Sequence, residues 1–146
     1  MAERLPRPLL VGESNPYGGD PRFALWPDPP RCAGWRLCHL VMRLTERQYL
    51  LAYDRVNLCA GPWRIAEARS TATHLCAGDA QPPVIVLCGS KVCGAFDVTF
   101  DPFTFNLATR VVILPHPSGL SRAWNEPGAL QRARAVLASA GCEVGA

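Results

Sequence analysis

Four short, mostly apolar runs punctuate the chain: Leu9-Leu10-Val11, Arg55-Val56-Asn57-Leu58-Cys59, Val84-Ile85-Val86-Leu87 and Arg110-Val111-Val112-Ile113-Leu114. Their apolar character is continuous instead of alternating, the pattern of strands buried on both faces in a parallel sheet. Between the first two lies GWRLCHLVMRL, where Trp35, Leu37, Cys38, Val41, Met42 and Leu44 recur at helical spacing. A shorter helix is predicted over TERQYLLAYD, capped by Thr45. Further helices are predicted from Ile65 to His74, from Ser90 to Phe96 and from Glu126 to Ala140, the last rich in Ala, Leu and Arg. Strand and helix therefore alternate. The expected fold is α/β: one three-layer αβα domain over residues 1–146 with a central, four-stranded, mostly parallel sheet.

Length and composition agree with one core. At 146 residues and 49% hydrophobic content, division into two domains would leave neither half enough apolar area. Residues 15–34 hold much of the proline and are expected to form a loop folded over the domain, not a linker. No stretch approaches the roughly 20 apolar residues of a membrane span, and Pro6 and Pro8 interrupt the run that a signal peptide needs. The expectation is a soluble, intracellular protein of the cytoplasm, acting as a monomer. Fifteen Lys and Arg against twelve Asp and Glu give a net charge of +3, compatible with a polyanion partner where the charge clusters. The seven cysteines include no CxxC pair, so reduced, mostly buried thiols are expected, with no metal and no cofactor.

Open α/β sheets bind ligands beyond the carboxyl ends of their strands. The four runs lead into GESNPYGGD, NLCAGPW, CGSKVCG and PHPSGLSRAWN, all rich in Gly, Pro, Asn, Ser or His. The strongest signal is Pro115-His116-Pro117-Ser118-Gly119-Leu120-Ser121-Arg122, leaving a strand and preceding a helix. It resembles the second motif of the uracil-DNA glycosylase superfamily, combining the HPS start and Leu of the uracil-specific enzymes with the PSGLSR wording of the mismatch-specific branch. The resemblance implies that His116 donates, as a neutral imidazole, to the base carbonyl on which negative charge develops. It also implies that Leu120 fills the space left by a flipped base, which offsets part of the unstacking cost. Ser118, Gly119, Ser121 and Arg122 suit phosphate oxygens; the plain alternative for Arg122 is a solvated loop charge.

The first motif, Gly12-Glu13-Ser14-Asn15-Pro16-Tyr17-Gly18-Gly19, mixes the wording of several branches. Asn15-Pro16 resembles the mismatch-specific and single-strand-selective enzymes, Pro16-Tyr17 the uracil-specific ones, and Gly12-Glu13 the iron–sulfur-cluster branch. One extra residue separates the glycine from Asn-Pro, so two water-activating candidates stand: Asn15, acting by orientation, and Glu13, taking a proton or stabilising the sugar cation. Asn57-Leu58-Cys59 is similar to the stretch from which family members present an asparagine to the flipped base; the plain alternative is a strand-end residue serving local backbone groups. Phe23 and Trp26 are both eligible to stack on the base. Tyr17 matches the residue that excludes thymine, although related Asn-Pro enzymes accept bulky groups at carbon five.

The resemblance thus implies a monofunctional DNA glycosylase, with water as nucleophile and an abasic site as product. Lys91 is the only lysine and lies near neither motif in sequence, so no Schiff base is expected. The substrate class is uracil or a 5-modified pyrimidine, a hypermodified viral cytosine included, in a repair or defence role. The rivals are a non-catalytic DNA-binding module sensing damaged or foreign DNA, and a different small α/β hydrolase or nucleotide-binding domain. The chain lacks the GxSxG, GxGxxG and phosphate-loop lysine motifs of the last.

Overall fold

The computed structural model describes residues 6–14, 20–118 and 121–145. Five strands form one sheet: β1 (Leu9–Ser14), β2 (Asp54–Cys59), β3 (Ile85–Cys88), β4 (Thr104–Asn106) and β5 (Val111–Leu114), in the order β2-β1-β3-β5-β4. The first three and β5 are parallel, and β4 pairs antiparallel with β5 at the edge. The expected four-stranded sheet therefore gains a fifth strand. β4 spans three residues, none of them buried, so no apolar run announces it. It forms because Phe103 N–H donates to the Ile113 carbonyl at 2.8 Å and the chain then runs alongside β5.

Alternate strand residues feed two cores. Leu10, Val86, Cys88, Val112 and Leu114 pack on one face, against Leu37, Val41, Met42, Tyr49 and Leu137. Leu9, Val11, Leu87 and Ile113 pack on the other, against Ala68, Ala72, Val92 and Cys93. Among the described residues, α1 (Ala33–Trp35) with the π-helical stretch Arg36–Val41 that continues it, α2 (Glu46–Ala52) and α5 (Ala129–Ser139) cover the first face, and α3 (Ile65–Cys76) and α4 (Ser90–Ala95) the second. The architecture is α/β, a mostly parallel sheet with helices on both faces. None of the helices among the described residues is long and apolar enough to cross a membrane.

Local chemistry sets the helix ends. α2 begins on a capping box: Thr45 Oγ1 accepts from Gln48 N–H at 3.1 Å, and Gln48 Oε1 accepts from Thr45 N–H at 2.9 Å. α1 widens into a π-helix over Arg36–Val41, whose last carbonyls at Leu40 and Val41 accept from Arg134 Nη1. α5 starts at Ala129, later than Glu126, because Gly128 sits in the left-handed region at φ 80° and cannot belong to the helix. The described part of the proline-rich segment folds over the first face, where Leu25 is buried and its carbonyl accepts from the Tyr49 hydroxyl at 2.8 Å.

β1 lies where strand order reverses. The chain leaves it toward β2 through α1 and α2 on one face, and reaches β3 on its other side through α3 on the opposite face. The crevice beyond the carboxyl ends of β1 and β3 is where such sheets bind ligands.

Candidate active site

β1 is longer than its apolar run: pairing of Gly12 with Asn57 and of Ser14 with Cys59 carries it through Ser14. Glu13 consequently stands on the strand, near its carboxyl end. β5 ends at Leu114, and the Pro115-His116-Pro117 segment brings His116 to the same crevice, with Nε2 3.5 Å from Glu13 Oε2. The two side chains are 31% and 22% exposed, shielded on most sides yet open to a ligand. At 3.5 Å the approach is longer than a normal N–H···O bond, so Glu13 does not hold the imidazole proton in a short contact.

The tautomer follows from the other nitrogen. Ser118 backbone N–H donates to His116 Nδ1 at 3.1 Å. A backbone amide can only donate, so Nδ1 carries no proton, and the neutral ring has its proton on Nε2, the nitrogen that faces Glu13. Two further contacts fix the residue. Gly89, at φ 107°, lies under it: a Cβ there would stand 3.1 Å from His116 Cβ and 3.5 Å from Cδ2. The Trp124 indole N–H donates to the His116 carbonyl at 2.8 Å.

Asn57 stands on β2 in register with Gly12, and its Oδ1 fills the space above that glycine, 2.5 Å from where a Gly12 Cβ would be. The missing side chain is what lets the amide lean across β1. Asn57 also borders a cleft of about 180 Å³ with Pro21, Ala24, Cys59, Glu67 and Thr71. Glu13 on β1, Asn57 on β2 and His116 just beyond β5 thus come to the carboxyl half of the sheet.

Phe23 and Trp26 meet edge to face, with ring centroids 5.2 Å apart. Among the described residues their other ring contacts are with arginines: Arg22 over Phe23 at 5.7 Å and Arg55 over Trp26 at 5.2 Å. Phe23 is 43% exposed, so it offers the more open ring. Arg55 has no counterpart in the motif reading. Its Nη1 donates to the Ala24 carbonyl at 3.1 Å, Nε has no partner among the described residues, and burial holds the guanidinium below its ordinary pKa.

Ser118 contributes the amide at Nδ1, and its carbonyl accepts from Ser121 N–H at 3.2 Å. Arg122 is exposed and opens a 3-10 turn, Arg122–Asn125. Asn15, Tyr17, Gly119 and Leu120 lie outside the described residues. Lys91, remote from both motifs in sequence, sits in the first turn of α4, two residues after Gly89, with its ammonium 6.0 Å from the Trp63 ring centroid. The seven thiols are free; Cys88, behind the site, is fully buried and pushed up to about 12 by that burial, with Cys93 and Glu13 adding to the shift. No cluster of three His, Cys, Asp or Glu among the described residues could hold a metal ion.

Sequence reasoning missed Gly89, Trp124 and Arg55. A glycine after the β3 run and a tryptophan after the PHPSGLSR loop are visible as residues, but their partner, His116, is not. In comparisons with known proteins, the chain matches no family model, no curated protein and no solved structure.

Proposed function

We propose that this chain is a monofunctional DNA glycosylase that flips a damaged or modified pyrimidine from DNA and hydrolyses its N-glycosidic bond. The observation that carries this reading is the approach of His116 Nε2 to Glu13 Oε2 at 3.5 Å, in a crevice at strand carboxyl ends, with the imidazole proton on Nε2. An N–H donor and a carboxyl group held side by side suit a reaction in which the leaving base gains negative charge while the sugar gains positive charge.

In this scheme the bond between C1′ and the base nitrogen breaks, and its electron pair moves to the base, where His116 Nε2–H donates to the charged carbonyl oxygen. Glu13 faces the sugar, offsets its oxocarbenium character and takes a proton from the water that adds to C1′. Asn15 is the neighbouring candidate for orienting that water. The departing base takes up a proton, leaving free base and an abasic site. Asn57, whose amide both donates and accepts, reads the edge of the base, with Phe23 or Trp26 as the stacking surface. Exposed cations, Arg22, Arg64 at the start of α3, Lys91 in the first turn of α4 and Arg122, supply phosphate contacts. The substrate is uracil or a 5-modified pyrimidine, and the enzyme acts on DNA as a cytoplasmic monomer.

The test is incubation with duplexes carrying uracil, mismatched thymine or 5-substituted cytosines, followed by alkaline cleavage of abasic sites. Scission is expected with at least one. His116→Ala should slow single-turnover cleavage about 100- to 1,000-fold, the usual cost of one such donor, while DNA affinity stays near wild type. Glu13→Gln should slow it by at least about 100-fold. Leu120→Ala should hurt a paired base more than an unpaired one. DNA binding without scission of any duplex would favour the non-catalytic module, and undiminished scission by His116→Ala would overturn the mechanism.

A further inference from the structure

His116 lies between two prolines. The residue before a proline is confined to extended backbone, and proline itself offers no N–H, so this segment has little local means of pairing its carbonyls. The His116 carbonyl is paired from a distance instead, by the Trp124 indole N–H at 2.8 Å. That bond ties Trp124, in the 3-10 turn Arg122–Asn125, to the backbone of His116. The indole is itself held: Phe103 meets it edge to face with centroids 5.6 Å apart, and the Arg132 guanidinium from α5 covers Phe103 at 4.6 Å. Phe103 is anchored to β5 by its N–H on the Ile113 carbonyl at 2.8 Å, one residue before the strand ends.

We infer that Trp124 is a positioning residue for His116, fixing the peptide plane from which the imidazole projects, and that the Arg132–Phe103–Trp124 stack sets the indole for this task. With ψ already confined by Pro117, holding that plane narrows the Cα–Cβ direction, and Gly89 beneath the ring limits where Nε2 can stand. A donor that must meet a developing charge needs that accuracy, since a displacement of about 1 Å can cost about 100-fold in rate. The inference rests on the glycosylase reading for its consequence in catalysis, and on geometry alone for the tie itself.

Trp124→Phe removes the indole N–H and keeps an aromatic ring against Phe103. Two measurements on the full chain separate the possibilities. In ¹⁵N-histidine NMR of the free protein, the His116 imidazole signals should move while those of His39 and His74 stay in place, which requires no activity. On whichever duplex the wild type cleaves, the single-turnover rate should fall about 10- to 100-fold with Kd for DNA within about twofold. Arg132→Leu, which leaves the indole intact, should reproduce a smaller part of both effects. Unchanged His116 signals would overturn the tie even if the protein proved inactive on every duplex. A wild type without glycosylase activity but with the selective NMR shift would refute the catalytic reading and leave the positioning standing. Equal movement of all three histidines would reduce Trp124 to general support and overturn the inference.

Discussion

Replacing Gly12 by alanine perturbs the position where β1 and β2 leave room for the Asn57 amide. The new methyl would stand 2.5 Å from Asn57 Oδ1 and 3.0 Å from Leu25 Cδ2, both far inside ordinary contact. Asn57 can swing away, but Leu25 is 9% exposed, at φ 48°, and its carbonyl is held by Tyr49, so it yields less readily. Overpacking of this kind costs about 1–3 kcal/mol. The lower entropy of the unfolded alanine chain returns about 0.4–1 kcal/mol, since Gly12 sits in a strand that alanine can enter. A net loss of about 1–2 kcal/mol corresponds, for a chain of this size, to a Tm lower by about 2–8 °C. Thermal melts of Gly12→Ala, Asn57→Ala and the double variant measure it. Because Asn57→Ala deletes Oδ1, the double variant should recover part of the Gly12→Ala loss, leaving only the Leu25 contact, with a coupling of about 1 kcal/mol. A Gly12→Ala Tm within about 1 °C of wild type, or a double variant whose loss is the plain sum of the singles, would refute the placement of Asn57 over Gly12.

Two other predictions concern stability alone. The buried Cys88 thiol is pushed up to about 12, whereas an unperturbed thiol ionises near 9.0. Between those values the folded chain keeps a proton that the unfolded chain loses, so stability is full below pH 9 and falls above it by about 1.4 kcal/mol per pH unit for this group. Urea midpoints at pH 7, 9 and 10 should decline only across the last interval, with exposed Cys76, not Cys88, the first thiol to react with a labelling reagent. Cys38, Cys93 and Cys142, each pushed up to about 11 by burial, share this decline, so a midpoint unchanged at pH 10 would contradict the burial of all four thiols. Tyr49→Phe removes the donor to the buried Leu25 carbonyl and should cost about 1–3 kcal/mol, read as a Tm drop with near-native circular dichroism; an unchanged Tm would show that bond to be dispensable.

The fold was legible where burial dictates residue type. β3 and β5 each begin within about one residue of an apolar run, and α2 begins at the capping box that TERQ announces. What escaped was structure imposed by a partner strand. β4 consists of Thr104, Phe105 and Asn106, a sequence that would suit many loops, and it is a strand because β5 presents an open edge beside it. Asn106 then turns the chain back, its side chain accepting from Ala108 and Thr109 N–H at 3.0 and 3.1 Å. The polar end of β1 escaped for the same reason, since Gly12, Glu13 and Ser14 are strand by pairing and not by hydrophobicity. The helical spacing of residues 34–44 was visible, but not the widening by which Met42 N–H reaches back to the Leu37 carbonyl.

The site divides along a similar line. Glu13, Asn57 and His116 were legible because each falls in a stretch, at or just beyond the end of an apolar run, whose wording resembles a glycosylase motif; Asn15, the other candidate of the first motif, lies outside the described residues. Their neighbours carry no such mark. Gly89 and Gly12 are small because His116 and Asn57 occupy the space a Cβ would take, and Trp124 is aromatic with a donor because a carbonyl between two prolines needs one. Such residues are specified by the side chain they accommodate, and that side chain arrives from another strand. The candidate groups of this site can therefore be read one at a time along the chain, whereas their orientation is a property of pairs. If the proposed mechanism holds, substitutions at Gly12, Gly89 and Trp124 test orientation, while those at Glu13, Asn57 and His116 test chemistry, and the two sets should separate rate from selectivity and fold.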